Sequence, residues 1–215
     1  MFKSVSPWNA RFFCAIMALL FWGSLQAQDL PIARNLQKAY TNGTRSADGQ
    51  PGTKYWQNKA DYDIYITLSP TTRLISGTVS IQYINNSPDT LREVVFKLYP
   101  NLYKKGAQRL MEISPEDAGD GLIIETLSVD GAQIKAADYR ISSTNMVVRP
   151  KSIPPGKSTQ FKIAYNYTLN KDSHIRTGQV DPGAWFIAYC FPRIAVYDDI
   201  DGWNRNQYLG TQEFY

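Results

Sequence analysis

From Asp61 onward, apolar and polar side chains alternate with a period of two. Tyr62, Ile64, Ile66 and Leu68 interleave with Asp61, Asp63, Tyr65 and Thr67. Successive side chains of a strand point to opposite faces, so this pattern predicts a half-buried strand. Residues 69–73 supply a turn. Ile75, Val79, Ile81 and Tyr83 then mark the apolar face of a second strand, which Gly77 interrupts as a candidate bulge. Turn residues at 85–89 close it. Val94, Phe96 and Leu98 alternate with Glu93, Val95 and Lys97, a third strand, and short connections predict an antiparallel meander of the three. Further on, residues 123–129 read as a strand ending in an Asp130-Gly131 hairpin turn. Met146 to Val148 end another strand, and Phe161, Ile163, Tyr165, Tyr167 and Leu169 alternate once more. Polar stretches at 100–121, with a helical turn near 108–111, and at 170–183 read as long loops. Residues 185–196 form an apolar-aromatic run that an acidic turn at 198–202 ends. Six or more short strands without a helical period predict an all-β fold, an antiparallel sandwich or saddle-like sheet. It is expected to span 61–215, behind a polar leader at 28–60. That leader holds a short helix near 32–40 and an exposed, turn-rich segment at 41–53.

The first 27 residues break the pattern. Lys3 and Arg11 precede or open an apolar run at 12–25, and the stretch has no acidic residue. A bilayer span takes about 20 apolar residues. This shorter run therefore reads as a secretory signal peptide cleaved after Ala27, which predicts an exported, periplasmic or extracellular protein. The 188 residues that remain are enough for one domain that buries about 70% of its unfolded surface.

Composition narrows the chemistry. The chain has 23 basic and 19 acidic residues, a net charge of +4 that falls to +2 without Lys3 and Arg11. So mild a balance predicts no nucleic-acid partner. One His excludes a His-Glu-x-x-His zinc motif, and two Cys exclude a Cys-rich cluster. Cys190, between Tyr189 and Phe191, reads as a packed small hydrophobe. His174 lies in a polar loop with no nucleophile elbow to serve it. Asp198, Asp199 and Asp201 have no Glu at the twelfth position of a calcium loop, so they read as a strand-ending turn, ion-paired to Arg193 or Arg205. The residues themselves thus lead to an exported all-β domain without catalytic or metal-binding machinery.

Three segments resemble the N-terminal β-domain of the aminopeptidase N-like (gluzincin) zinc metallopeptidases. The first runs from Tyr62-Asp63-Ile64 through Gly77-Thr78-Val79 to Asn85-Asn86-Ser87. The second is Val94-Phe96-Leu98-Tyr99-Pro100-Asn101, similar to exported bacterial members. The third is Trp185-Phe186-Ile187-Ala188-Tyr189-Cys190-Phe191-Pro192-Arg193-Ile194-Ala195-Val196-Tyr197-Asp198-Asp199, followed by Gly202-Trp203. The resemblance implies a front domain that precedes a thermolysin-like catalytic domain, which would carry the zinc and act on a peptide substrate. Residues 212–215 then read as a break inside a larger protein. Where family members carry a Gln and a Glu that line the amino-terminus pocket, this chain has Trp185 and Ile187. What the resemblance carries over is a cleft or interdomain wall, with Trp185, Tyr189, Arg193, Asp198 and Asp199 as its candidates. The residues also allow a free-standing secreted β-sandwich that binds a peptide, glycan or protein.

Overall fold

The computed structural model describes residues 31–172 and 175–211. The chain divides into two compact units, residues 1–37 and 38–215. Helix α1 (Arg34–Asn42) begins in the first and ends in the second, and all the sheet structure belongs to the second. The predicted signal peptide and residues 212–215 lie outside the described residues. Among the described residues, no helix is long and apolar enough to cross a membrane.

The strands are β1 (Lys59–Ser69), β2 (Leu74–Ile84), β3 (Val94–Lys97), β4 (Ile123–Val129), β5 (Ala132–Gln133), β6 (Tyr139–Ser142) and β7 (Asn145–Val148). They continue with β8 (Ser158–Thr168), β9 (Thr177–Asp181), β10 (Ala184–Ile187), β11 (Arg193–Ile194), β12 (Tyr197–Asp198) and β13 (Gly202–Trp203). One sheet has the order β1-β2-β8-β4-β5 and another β11-β3-β7-β6; β9/β10 and β12/β13 form separate hairpins. All the strand pairings are antiparallel. The two larger sheets share one core. Ile75, Val79 and Ile81 from β2 and Phe161 and Ile163 from β8 meet Phe96 from β3 and Met146 and Val148 from β7. Phe96 and Phe161 contact edge to face across the layers, with centroids 5.1 Å apart. Burying each side chain of this size contributes about 1.5–3 kcal/mol. The all-β prediction holds, and the period-two faces of β2 and β8 turn inward; that of β1 is half-buried at Tyr62, Ile64 and Leu68, while Ile66 is 40% exposed. At Asp130-Gly131 both residues have positive φ (49° and 80°), the twist a two-residue hairpin turn needs.

Several expectations are corrected. The first three strands are not a meander. β2 pairs with the equally long β8 over its full length, from Leu74↔Thr168 to Ile84↔Ser158, so that edge is taken and four-residue β3 joins the other sheet. Buried Asn85 turns the chain between them by donating to the carbonyls of Asp89 and Ile153. Gly77 marks no bulge, since both its pairings are in register. A Cβ there would lie 2.7 Å from the Tyr165 hydroxyl and 2.7 Å from the Tyr65 carbonyl oxygen, so glycine makes room for a neighbouring ring. The bulge falls instead in β4, between Ile124 and Thr126. The stretch 100–121 opens with a buried 3-10 turn (Tyr99–Tyr103) rather than a polar loop. The expected loop at 170–183 contains β9, whose Thr-Gly-Gln-Val-Asp sequence has no strand signature; pairing with β10 makes it one. In the turn-rich segment, Thr44 is buried because it and Arg45 bond to Asp199.

Candidate functional site

The apolar-aromatic run at 185–196 is not one strand. β10 ends at Ile187, and Tyr189 then takes φ 57°, a left-handed conformation that an aromatic side chain rarely adopts. The chain turns there before β11. In β10, Trp185 and Ile187 pack half-buried onto the core, while Phe186 points away and is 52% exposed. Cys190 is buried, and burial pushes its thiol pKa up, as suits a packed hydrophobe.

The turn places the Tyr189 ring on that of Tyr99, with centroids 4.9 Å apart. Tyr99 starts the 3-10 turn after β3, and Tyr208 stands edge-on to it at 5.1 Å. Tyr208 is placed by the bond from its backbone N–H to the Thr144 hydroxyl, 2.7 Å. Two guanidinium groups attend the stacked pair. Arg193 donates to the Tyr99 hydroxyl at 3.1 Å and lies 5.5 Å from that ring's centroid. Arg176 donates to the Tyr189 hydroxyl at 3.0 Å and lies 5.7 Å from its centroid. Such cation–π contacts contribute about 0.5–1 kcal/mol each at exposed sites. Burial is the main cause that raises the Tyr99 pKa; Arg193 opposes it. Tyr99, Tyr189 and Tyr208 help to wall a narrow pocket with about 20 Å³ of free room, close to that of one water molecule; neither arginine lines it. Tyr167 also lines it, is 5% exposed, and its hydroxyl has no hydrogen-bond partner.

The structure therefore joins two of the predicted residues, Tyr189 and Arg193, through Tyr99. It does not join the others to them. Trp185 belongs to the core face of β10. Asp198 ends β12 and Asp199 opens the turn to β13, as the strand-ending reading expects. The Asp198 carboxylate accepts from the N–H groups of Ile200 and Asp201. The expected ion pairs to Arg193 or Arg205 are replaced. Asp199 accepts from Arg45 at 2.8 Å and from the Thr44 hydroxyl at 2.5 Å, while Arg205 pairs with Glu93. The sequence offered no reason to prefer Arg45, which is 154 positions away. The Arg45 guanidinium holds the Asp199 carboxyl below the usual carboxylate range. Beside this turn lies a hollow of about 680 Å³ whose walls include Tyr55, Trp56, Tyr62 and Tyr197. His174 falls outside the described residues. Among the described residues, no three of His, Cys, Asp or Glu group closely enough to hold a metal ion.

No family model matches the sequence, and no curated protein does. Solved structures do. An M1 zinc metallopeptidase from Deinococcus radiodurans matches at 15% identity over 56% of this chain and 22% of its own, with a TM-score of 0.37. Legionella pneumophila aminopeptidase A in complex with aspartic acid matches at 10% identity over 55% of this chain and 13% of its own, with a TM-score of 0.36. The likeness is a partial one of fold, and the chain spans less than a quarter of the length of either protein.

Sequence reasoning missed Tyr99, Tyr208 and Arg176 as members of the site. Tyr99 stood in a recognisable motif, Leu98-Tyr99-Pro100-Asn101, and its Pro marks the start of the turn. Nothing in the pattern links it to positions 90 or more residues away. Tyr208 and Arg176 lie in segments without periodicity, so only the fold assembles them.

Proposed function

We propose that this chain is the non-catalytic front domain of an exported zinc metallopeptidase, and that the segment at 185–193 with Tyr99 forms part of the wall of its peptide cleft. The support comes from the sequence motifs and from one structural observation. Tyr189 of the motif-bearing segment leaves the strand and, 37% exposed, packs on the buried rings of Tyr99 and Tyr208, with Arg176 donating to its own hydroxyl and Arg193 to that of Tyr99. Tyr189 is 37% exposed, and Phe186 and Val180 (46%) add apolar surface on the β9/β10 hairpin. A ring that is rigid, amphipathic and partly exposed, as that of Tyr189 is, suits contact with a peptide, because it gives area at little entropic cost. Zinc and the groups that activate water would belong to a thermolysin-like catalytic partner. The described residues supply no donor set for a metal, and no chemical step is assigned to them.

The test reads the gene beyond the Tyr215 codon and assays the whole secreted product. An in-frame His-Glu-x-x-His motif and chelator-sensitive peptide hydrolysis are expected, with Tyr189→Ser raising KM more than it lowers kcat. A stop codon directly after Tyr215, with a stable secreted product, would overturn the proposal.

A further inference from the structure

The outer face of the second sheet gathers positive charge. Successive side chains of a strand alternate between faces, and residues opposite one another in a pair share a face. The register sets Arg140 of β6 opposite Val147 of β7, and Val147 opposite Val95 of β3. Arg149, two residues past Val147, then lies on the same face and diagonal to Arg140, within reach of a long side chain. Glu93, two residues before Val95, joins them. The segment after β13 crosses this face and adds Arg205, whose carbonyl accepts from the Asn145 side chain at 2.7 Å. The three arginines and Glu93 wall a hollow of about 290 Å³, with Val95 and Val147 as apolar lining.

The charge in this hollow is not balanced. Three guanidinium groups face one carboxylate, an excess of +2. The chain without its first 27 residues carries 21 basic and 19 acidic side chains. The excess is thus a local concentration and not a share of a generally basic surface. Glu93 engages only one nitrogen of each neighbour: Nη2 of Arg205 donates to one oxygen, and Nη2 of Arg149 lies 3.8 Å from the other. Among the described residues, the Nε and Nη1 groups of both, and the whole guanidinium of Arg140, meet no acceptor. Beneath them, Lys97 donates to the Asn145 side chain at 2.9 Å and adds a further positive charge. Like charges held together repel, and an anion that enters offsets the repulsion.

We propose that this hollow binds the dianionic group of a phosphate monoester. A planar fork of N–H donors matches phosphate oxygens, and charge-assisted bonds of this kind are about twice as strong as neutral ones. One phosphate group places two negative charges on a single centre, the excess that the three arginines leave. Water occupies about 30 Å³ per molecule in the liquid, so a hollow of this size also has room for the carbon part of an ester. Val95 and Val147 offer that part an apolar contact. A soluble ester and a lipid headgroup present the same group, and the experiment separates them.

The purified protein is titrated at about pH 7.5, where a phosphate monoester is largely dianionic, and at constant ionic strength, with backbone NMR shifts as the readout. The probes are glycerol phosphate, glutarate and acetate. Glycerol phosphate is expected to shift the amides of β6 and β7 and to bind at least about tenfold more tightly than acetate. Arg140→Gln should weaken it about tenfold, and Arg140→Lys less, because the charge stays and the fork is lost. Glu93→Gln removes the competing carboxylate and should tighten binding. Lys162→Gln takes the same charge from an exposed position on β8 and should leave binding unchanged. No binding of glycerol phosphate up to about 10 mM overturns the inference. So does glutarate binding as tightly, which would show that two separate carboxylates suffice. Equal weakening by Lys162→Gln and Arg140→Gln overturns it too, since the attraction would then be diffuse. Flotation with phosphatidylcholine vesicles that contain phosphatidic acid, lost in Arg140→Gln, supports a lipid headgroup as the source. Binding of glycerol phosphate without flotation supports a soluble ester. None of these outcomes depends on the cleft-wall reading.

Discussion

The ammonium of Lys97 is a charge on a residue only 1% exposed. By alternation Lys97 was expected to share a face with Glu93, and it does face away from the core, opposite Asn145. That face is covered by the segment after β13. Lys97 donates to the Asn145 side chain at 2.9 Å, to the Asn204 side chain at 3.4 Å and to the Asn206 carbonyl at 2.7 Å. Burial, with Arg193 nearby as the lesser cause, lowers its pKa from 10.5 to about 8. The folded state therefore binds fewer protons than the unfolded state between pH 8 and 10.5, and stability from this group rises with pH across that window. Chemical denaturation of Lys97→Met should lack this rise, which amounts to no more than about 3 kcal/mol. Below pH 8 the variant should be destabilised only if the lost bonds outweigh the relief of an interred charge. A wild-type stability that falls from pH 8 to 9.5, relative to the variant, would reverse the sign and refute the assignment. Alternation showed which face Lys97 takes; only the covering segment decides that this face is dry.

At the scale of elements, the acidic turn between β12 and β13 was legible as a turn but not as an anchor. Asp199 ties it to Thr44 and Arg45, just past helix α1, and this explains why part of a polar, turn-rich segment is buried. The Asp199 pKa is depressed, chiefly by the Arg45 bond. The contribution is thus present above the unfolded value near 3.8 and is lost as pH falls through the lower folded value. Asp199→Asn removes the charge but keeps an acceptor. We expect it to speed hydrogen exchange at Thr44 and Arg45 by about tenfold at pH 7, the effect of losing about 1.5 kcal/mol of charge-assisted bonding. The amides of β8 should not change. Unchanged exchange at Thr44 would show that the clamp contributes nothing. Strands with strong alternation, β1, β2 and β8, were readable because one face of each packs on the core, buried in β2 and β8 and half-buried in β1. β9 and β11 were not readable, because a strand of two to five residues with mixed composition exists only through its partner.

For the whole molecule, the exposed side chains of Phe186, Val180 and Tyr189 set an expectation about behaviour in solution. Contiguous apolar surface on a monomer marks an interaction site or an aggregation liability. The domain should bind a hydrophobic dye such as anilinonaphthalene sulfonate in its folded state, and Phe186→Ser should cut that signal by about half without lowering the unfolding midpoint. Folded protein that leaves the dye dark would count against an uncovered wall. The sequence by itself determined the all-β class, the inward faces of the long strands, the Asp130-Gly131 hairpin and the turn at 198–202. Each of these follows from side-chain period or local backbone preference, which act over a few residues. The tertiary structure decided the strand order, the transfer of β3 to the second sheet, the burial of Lys97 and the meeting of Tyr99, Arg176, Tyr189, Arg193 and Tyr208. Those features depend on which distant segment covers which face, and a pattern that repeats every two residues holds no information about partners a hundred residues away.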